Sequence, residues 1–135
     1  NDQPAIVRKN GDQIWVIQGT VRRIGDKSSI ELVDGTRIWT KNGKIHRGED
    51  RPAVISPDGR IWFSFGTVSR KTGYAAILSD GYEYRLLNGK TPDNYYYSAV
   101  RSPDGSKHSL NNEHRVKIKK ICKKYINMMN LENIV

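Results

Sequence analysis

A chain of 135 residues, 36% of them hydrophobic, is long enough for one domain or one array of small units. Its 12 Gly and 5 Pro exclude a collagen-like composition, no apolar run nears the roughly 18 residues that cross a bilayer, and no signal-peptide pattern is present. The single Cys122 excludes an internal disulfide and leans toward a reducing compartment, while the +9 formal charge is uneven: residues 1–100 hold 15 Lys/Arg against 11 Asp/Glu, and residues 101–135 hold 8 against 3. The positive field gathers toward the C-terminus, where it steers an anionic partner.

Taken in chain order, the sequence repeats. Asp2-Gln3-Pro4-Ala5-Ile6-Val7 lines up with Asp50-Arg51-Pro52-Ala53-Val54-Ile55, so the chain is read as starting partway through a unit. Asn10-Gly11 then signals a hairpin, followed by the strand Gln13–Ile17 and Gly19. The second unit gives Ser29–Val33, the turn Asp34-Gly35, the strand Thr36–Thr40 and Asn42-Gly43. The third gives Ala53–Ile55, Pro57-Asp58-Gly59 and Arg60–Phe65. The fourth gives Tyr74–Leu78, Asp80-Gly81 and Tyr82–Leu87, and the fifth opens with Tyr95–Val100 before Pro103-Asp104-Gly105. Gly11, Gly35, Gly59, Gly81 and Gly105 fall 24, 24, 22 and 24 residues apart. Trp15, Trp39, Trp62 and Tyr84 recur behind the first four. A fixed period of this length marks a repeat architecture. Neither strand of a unit buries a face alone, so stacked hairpins form one antiparallel meander with a shared apolar layer.

After Ser109 the period changes. Asn111-Asn112 offers an N-cap and Glu113 a first-turn acid. Ile118, Ile121, Cys122, Tyr125, Met128 and Met129 share one side of a helical wheel, with Lys117, Lys119, Lys120, Lys123 and Lys124 on the other. The expectation is a mainly β fold: an antiparallel β-hairpin repeat meander of about 24-residue period over residues 1–109. A C-terminal basic amphipathic α-helix and tail then occupies residues 110–135, helical from about 112 to 130 and laid on the sheet.

The residues Trp39…Asn42-Gly43-Lys44-Ile45-His46-Arg47…Pro52-Ala53-Val54-Ile55…Asp58-Gly59…Trp62 resemble a recurrent unit. It reads W-x-x-x-G-x-x-H-R-x-x-G-P-A-x-x-x-x-x-G, is found in proteins of tailed phages and large DNA viruses, and is similar to MORN-like repeats in layout. The match is good over one unit and blurred elsewhere, His46-Arg47 becoming Arg22-Arg23 and Ser69-Arg70; it covers residues 1–105 and leaves the helix out. The resemblance implies an elongated β array serving as an interaction platform with no shared catalytic activity. It also implies a phage or viral origin, with a host-cell cytoplasmic location.

Three sets of side chains invite a functional reading. Arg23, Arg47 and Arg70 stand four residues after Gly19, Gly43 and Gly66 and could form an anion track, since guanidinium forks hold phosphate. The favoured reading is a repeated ion pair, with Asp26 and Asp50 each three residues beyond an arginine. Tyr95, Tyr96 and Tyr97 are the aromatics least tied to the repeat and the best candidates for stacking on unpaired bases. Of each Ile-Trp pair one side chain should face away from the core, so an uncovered row would be a binding surface. The helix cations Arg115, Lys117, Lys119, Lys120, Lys123 and Lys124 suit a phosphate backbone and, secondarily, an anionic lipid surface. A solvated face is the plainer alternative.

His46 beside Glu49 and Asp50 is a weak general acid/base candidate, because all three belong to a recurring turn. No catalytic residue, metal site or cofactor is expected. The expectation is therefore a non-enzymatic module that binds nucleic acid mainly through backbone charge. The alternative is an inhibitor or modulator of a host protein acting through the β-repeat face. Open sheet edges also allow a homodimer.

Overall fold

A computed structural model describes residues 2–133. The predicted strands are present but short. In chain order they are β1 Ile6–Val7, β2 Gln13–Ile14, β3 Val16–Ile17, β4 Thr20–Val21, β5 Ile30–Glu31, β6 Arg37–Ile38, β7 Thr40–Lys41 and β8 Lys44–Ile45. There follow β9 Val54–Ser56, β10 Gly59–Ile61, β11 Phe63–Ser64, β12 Thr67–Val68, β13 Ala76–Leu78, β14 Glu83–Tyr84, β15 Val100–Arg101 and β16 Lys107–His108, and then helix α1, Asn112–Asn127. The three runs that contain a tryptophan, read from sequence as single strands, are each broken at it. Gln13–Ile17, for instance, splits at Trp15: β2 pairs with β1 and β5, whereas β3 turns back on β4. The backbone thus serves two sheets in succession, which a period-two pattern of five residues does not reveal.

The larger assembly is a ten-stranded antiparallel meander in the order β1-β2-β5-β6-β9-β10-β13-β14-β15-β16. The skipped strands form short arms, β3-β4, β7-β8 and β11-β12, with a single bridge from Leu87 to Lys90 as a fourth. Every arm ends in a two-residue turn with both φ angles positive, at Gln18-Gly19, Asn42-Gly43, Phe65-Gly66 and Asn88-Gly89. That is the type I′ geometry, whose twist matches a tight hairpin. The arms also lean on one another: the Gly66 N–H donates to the Ile45 carbonyl and the Gly89 N–H to the Val68 carbonyl, both at 2.8 Å.

Register explains the core. Ile6, Ile14, Ile30, Ile38, Val54, Ile61, Ala76, Tyr84 and Val100 are successive cross-strand partners on one face of the meander. From Ile14 to Val100 all are buried, each large one stabilising by roughly 1.5–3 kcal/mol. The alternate row, from Gln13 through Glu31, Arg37, Ile55, Arg60, Ile77 and Glu83 to Arg101, is mostly polar and lies on the opposite face. Gly59 has a steric role in this sheet, because a Cβ there would meet the Ile77 carbonyl oxygen at 2.2 Å.

Helix α1 lies on the apolar face, burying Ile118, Cys122 and Tyr125 in the same core as the strand ladder and the arm residues Val21, Ile45, Phe63 and Val68. It is capped as predicted: the Asn111 side chain accepts the His114 N–H and His114 Nδ1 accepts the Asn111 N–H. It stops at Asn127 rather than near 130, because Met128 and Met129 donate only three residues back, to Tyr125 and Ile126. The expected strand Tyr95–Val100 is also corrected. Asp93–Tyr95 is a turn of 3-10 helix, and pairing begins at Val100.

Candidate nucleic-acid interface

The repeat generates a charged lattice before it offers any binding surface. Arg23 lies over the ring of Trp15, Arg47 over Trp39 and Arg70 over Trp62, at 3.7, 3.8 and 3.9 Å. Each guanidinium is also gripped by a carboxylate of the preceding loop. Arg23 donates through Nε and Nη2 to Asp2, both at 2.9 Å; Arg47 likewise to Asp26 at 3.1 and 3.3 Å, and Arg70 to Asp50 at 2.8 and 3.2 Å. The third nitrogen donates to the carbonyl of Ser28, Pro52 or Tyr74. The ion pair read from sequence exists, but its partner is 20 or 21 residues back rather than three ahead. Stacking brings equivalent positions of neighbouring units together, while the acid three residues on belongs to the next arginine. Lys27 adds to Asp2 and Arg51 to Asp26. These arginines hold all three carboxyls below the usual range, by hydrogen bond first.

The lattice bears on two expectations. Every guanidinium nitrogen of Arg23, Arg47 and Arg70 already donates at least once within the frame, so an anion on that track meets arginines engaged by carboxylates and carbonyls. Neither the Ile row nor the Trp row is exposed: the isoleucines lie under the helix, and Trp15, Trp39 and Trp62 are only 6, 8 and 5% exposed beneath their arginines. In the fourth unit the roles invert. Arg85 takes the tryptophan position and sits between Tyr74 at 4.4 Å and Tyr95 at 4.2 Å.

His46, Glu49 and Asp50 are each committed to the frame. His46 Nδ1 accepts the Phe65 N–H at 3.1 Å, and its ring stacks on Phe65 at 3.9 Å. Burial and then Lys41 push its pKa down. Glu49 pairs with Arg51 and Asp50 with Arg70. The blurred position of the repeat thereby acquires a meaning. Ser69 stands where His46 does and accepts the Asn88 N–H at 3.0 Å, so what these two units need there is an acceptor for the next turn. Among the described residues no group of three or more His, Cys, Asp or Glu could hold a metal ion, and no helix is long and apolar enough to cross a membrane. Burial pushes the Cys122 thiol up to about 12, which keeps it in the unreactive protonated form.

The helix sorts its cations by anchoring to two hairpin turns. The Tyr125 hydroxyl donates to Asp58 Oδ2 at 2.5 Å, so the Ser56 hydroxyl, 2.6 Å away, donates to Tyr125. Lys124 reaches the same Asp58 at 3.1 Å, and Lys117 pairs with Asp80 while lying over the Tyr82 ring. These contacts fix the rotation of α1 about its axis. Arg115, Lys119, Lys120 and Lys123 are left exposed, with no carboxylate partner among the described residues. Arg115, Lys119 and Lys123 follow one another at four-residue spacing, about 6 Å along the axis. Sequence alone gave six equivalent cations; the fold separates two that pin the helix from four that are available.

Tyr95, Tyr96 and Tyr97 divide as well. Tyr95 is spent on Arg85, whereas Tyr96 and Tyr97 are 65 and 80% exposed and meet edge to face at 4.9 Å. Tyr84, in β14, packs against His114 of the helix, whereas Arg85, just beyond that strand, lies over Tyr95. No known protein family, curated protein or solved structure matches this chain.

Proposed function

We propose that this chain is a non-enzymatic binding module of phage or viral kind, working in the host cytoplasm, that holds nucleic acid mainly through its backbone charge. The observation that carries the reading is the uncompensated set Arg115, Lys119, Lys120 and Lys123 on a helix whose orientation is fixed by Tyr125 and Asp58. A face serving solubility alone mixes the two signs of charge. This one presents cations at regular spacing, which suits displacement of counterions from phosphates. Tyr96 and Tyr97 offer exposed rings to an unpaired strand that passes around the sheet edge.

The test is a fluorescence-anisotropy titration with single-stranded and duplex oligonucleotides across a range of salt. Four phosphate contacts give a slope of log affinity on log salt of roughly −3 to −4, and each Lys→Gln substitution at 119, 120 or 123 reduces its size by about one. Absence of binding at low salt refutes the reading.

A second reading, inhibition or modulation of a host protein, draws on a groove of about 240 Å³ between α1 and the arms, lined by Phe63, Val68, Leu86, Ile118 and the half-exposed Ile126. A stoichiometric protein partner that survives nuclease treatment in a pull-down would favour it. Because β1 and β16 are the outer strands of the meander, edge pairing into a homodimer belongs to either reading, and sedimentation at several concentrations measures it.

A further inference from the structure

The three grooves between successive arms occupy equivalent places, yet one is chemically different. They run beside Trp15, Trp39 and Trp62, the first between the N-terminal segment and the first arm, with volumes of about 300, 460 and 910 Å³. In the first and third, the indole N–H donates to a backbone carbonyl, Trp15 to Asp2 at 3.4 Å and Trp62 to Asp50 at 3.0 Å. Trp39 stacks under Arg47 as its counterparts do, but its Nε1 is buried with no acceptor among the described residues. A buried donor left unmade is costly enough to need a reason.

Two further donors line the same groove. Arg22 and Lys41 are exposed, and neither has a carboxylate partner among the described residues. The other charged groups facing it are engaged. Arg23 and Lys27 are held by Asp2, while Asp26 is shared by Arg47 and Arg51. His46 has spent its Nδ1 on Phe65. The uncommitted groups are thus a guanidinium, an ammonium and an indole N–H, donors without an acceptor among them. The groove is on the side of the sheet away from the helix, since Arg23, which stacks on Trp15, also reaches Glu31 in the polar row of the meander.

We propose that this groove is an anion site for a phosphate group, separate from the helix cations. The Arg22 fork takes two phosphate oxygens, Lys41 supplies a point charge, and a further oxygen, admitted by a small opening of the groove wall over the shielded Trp39 Nε1, takes the place that the Asp2 and Asp50 carbonyls hold in the neighbouring copies. The phosphate belongs either to a free phosphate ester or to a nucleic-acid backbone.

The test uses the intact chain with isotope-labelled indole nitrogens, titrated with inorganic phosphate at constant ionic strength. The three indole N–H resonances, assigned by single Trp→Phe variants, provide internal controls. The Trp39 signal should shift saturably while those of Trp15 and Trp62 stay in place. Combining Arg22→Gln with Lys41→Gln should weaken the response about tenfold or more without moving the melting temperature. Combined Lys119→Gln, Lys120→Gln and Lys123→Gln should leave it unchanged. Repeating the titration with a nucleoside monophosphate and a single-stranded oligonucleotide identifies the source. A much tighter oligonucleotide response assigns the backbone, equal responses assign a free ester, and both uphold the site. An unmoving Trp39 resonance, or three resonances shifting together, overturns it. Loss of oligonucleotide binding in the helix variant with an intact phosphate response would leave this site standing apart from the helix interface.

Discussion

The arginines of the array and the cations of the helix are alike in charge and opposite in consequence. A repeat copies its acids with its bases, so Asp2, Asp26 and Asp50 meet Arg23, Arg47 and Arg70 in register, and each pair closes over a tryptophan. The helix occurs once, and among the described residues the array's carboxylates that reach it are Asp58 and Asp80, both engaged in docking it. Where the repeat copies an acid with its arginine the two neutralise each other, whereas Arg115, Lys119, Lys120 and Lys123 on the aperiodic helix have no carboxylate partner among the described residues.

That contrast can be broken most strongly at the tryptophans. Trp62→Ala should cost about 3–5 kcal/mol, read as a lower urea midpoint, because it removes a buried ring together with the platform for Arg70. Combined Lys→Gln changes at 119, 120 and 123 should stay within about 0.5 kcal/mol of the parent while abolishing most of the salt dependence of oligonucleotide binding.

Acid should act on the array as a whole. The carboxyls of Asp2, Asp26 and Asp50 titrate below their ordinary value in the folded chain. Their contribution is complete above the unfolded value of about 3.9 and disappears as pH falls through the folded values. His46 and His114 are held below the ordinary histidine value, mainly by burial. The unfolded chain therefore takes up these protons first, and stability begins to fall below about pH 6.5. Urea midpoints measured from neutral pH down to about pH 2 check both windows; a profile that stays flat below about pH 4 would refute the lattice as a stabilising device.

Docking of the helix is tested by Tyr125→Phe, which leaves Asp58 and Ser56 without the hydroxyl between them and should cost about 1–2 kcal/mol. The register of the ion pairs is tested by a double-mutant cycle. Arg70→Gln with Asp50→Asn should show coupling of about 0.5–1 kcal/mol, and Arg47→Gln with Asp50→Asn should be close to additive. The reverse pattern would restore pairing three residues along the chain. The smallest effect is expected at Phe65, a bulky residue at φ 43° where two sister turns use asparagine. Phe65→Asn should gain several tenths of a kcal/mol in thermal melts, because relief of backbone strain outweighs the lost stack on His46; a lower melting temperature would reverse that ranking.

Much of the fold was legible in residue order, because turn chemistry and strand alternation are local. Asn42-Gly43, Asp58-Gly59 and Asp80-Gly81 lie at hairpin turns as their types require, and Ile14, Ile38 and Ile61 face inward while the polar residues before them, Gln13, Arg37 and Arg60, face outward. The helix and its Asn111 cap follow from the same short-range rules. The breaks at Trp15, Trp39 and Trp62 were not legible, since a short alternating run looks alike whether it serves one sheet or two.

The candidate site was legible only as a list of cations. Sequence determined that the helix carries Arg115 and five lysines and that the array carries a periodic arginine. Which of them keep an unpaired charge was decided by contacts across 20 to 67 residues of chain, Asp50 with Arg70 and Asp58 with Tyr125 among them. Charge is a property of a residue, but its availability depends on what the fold sets beside it.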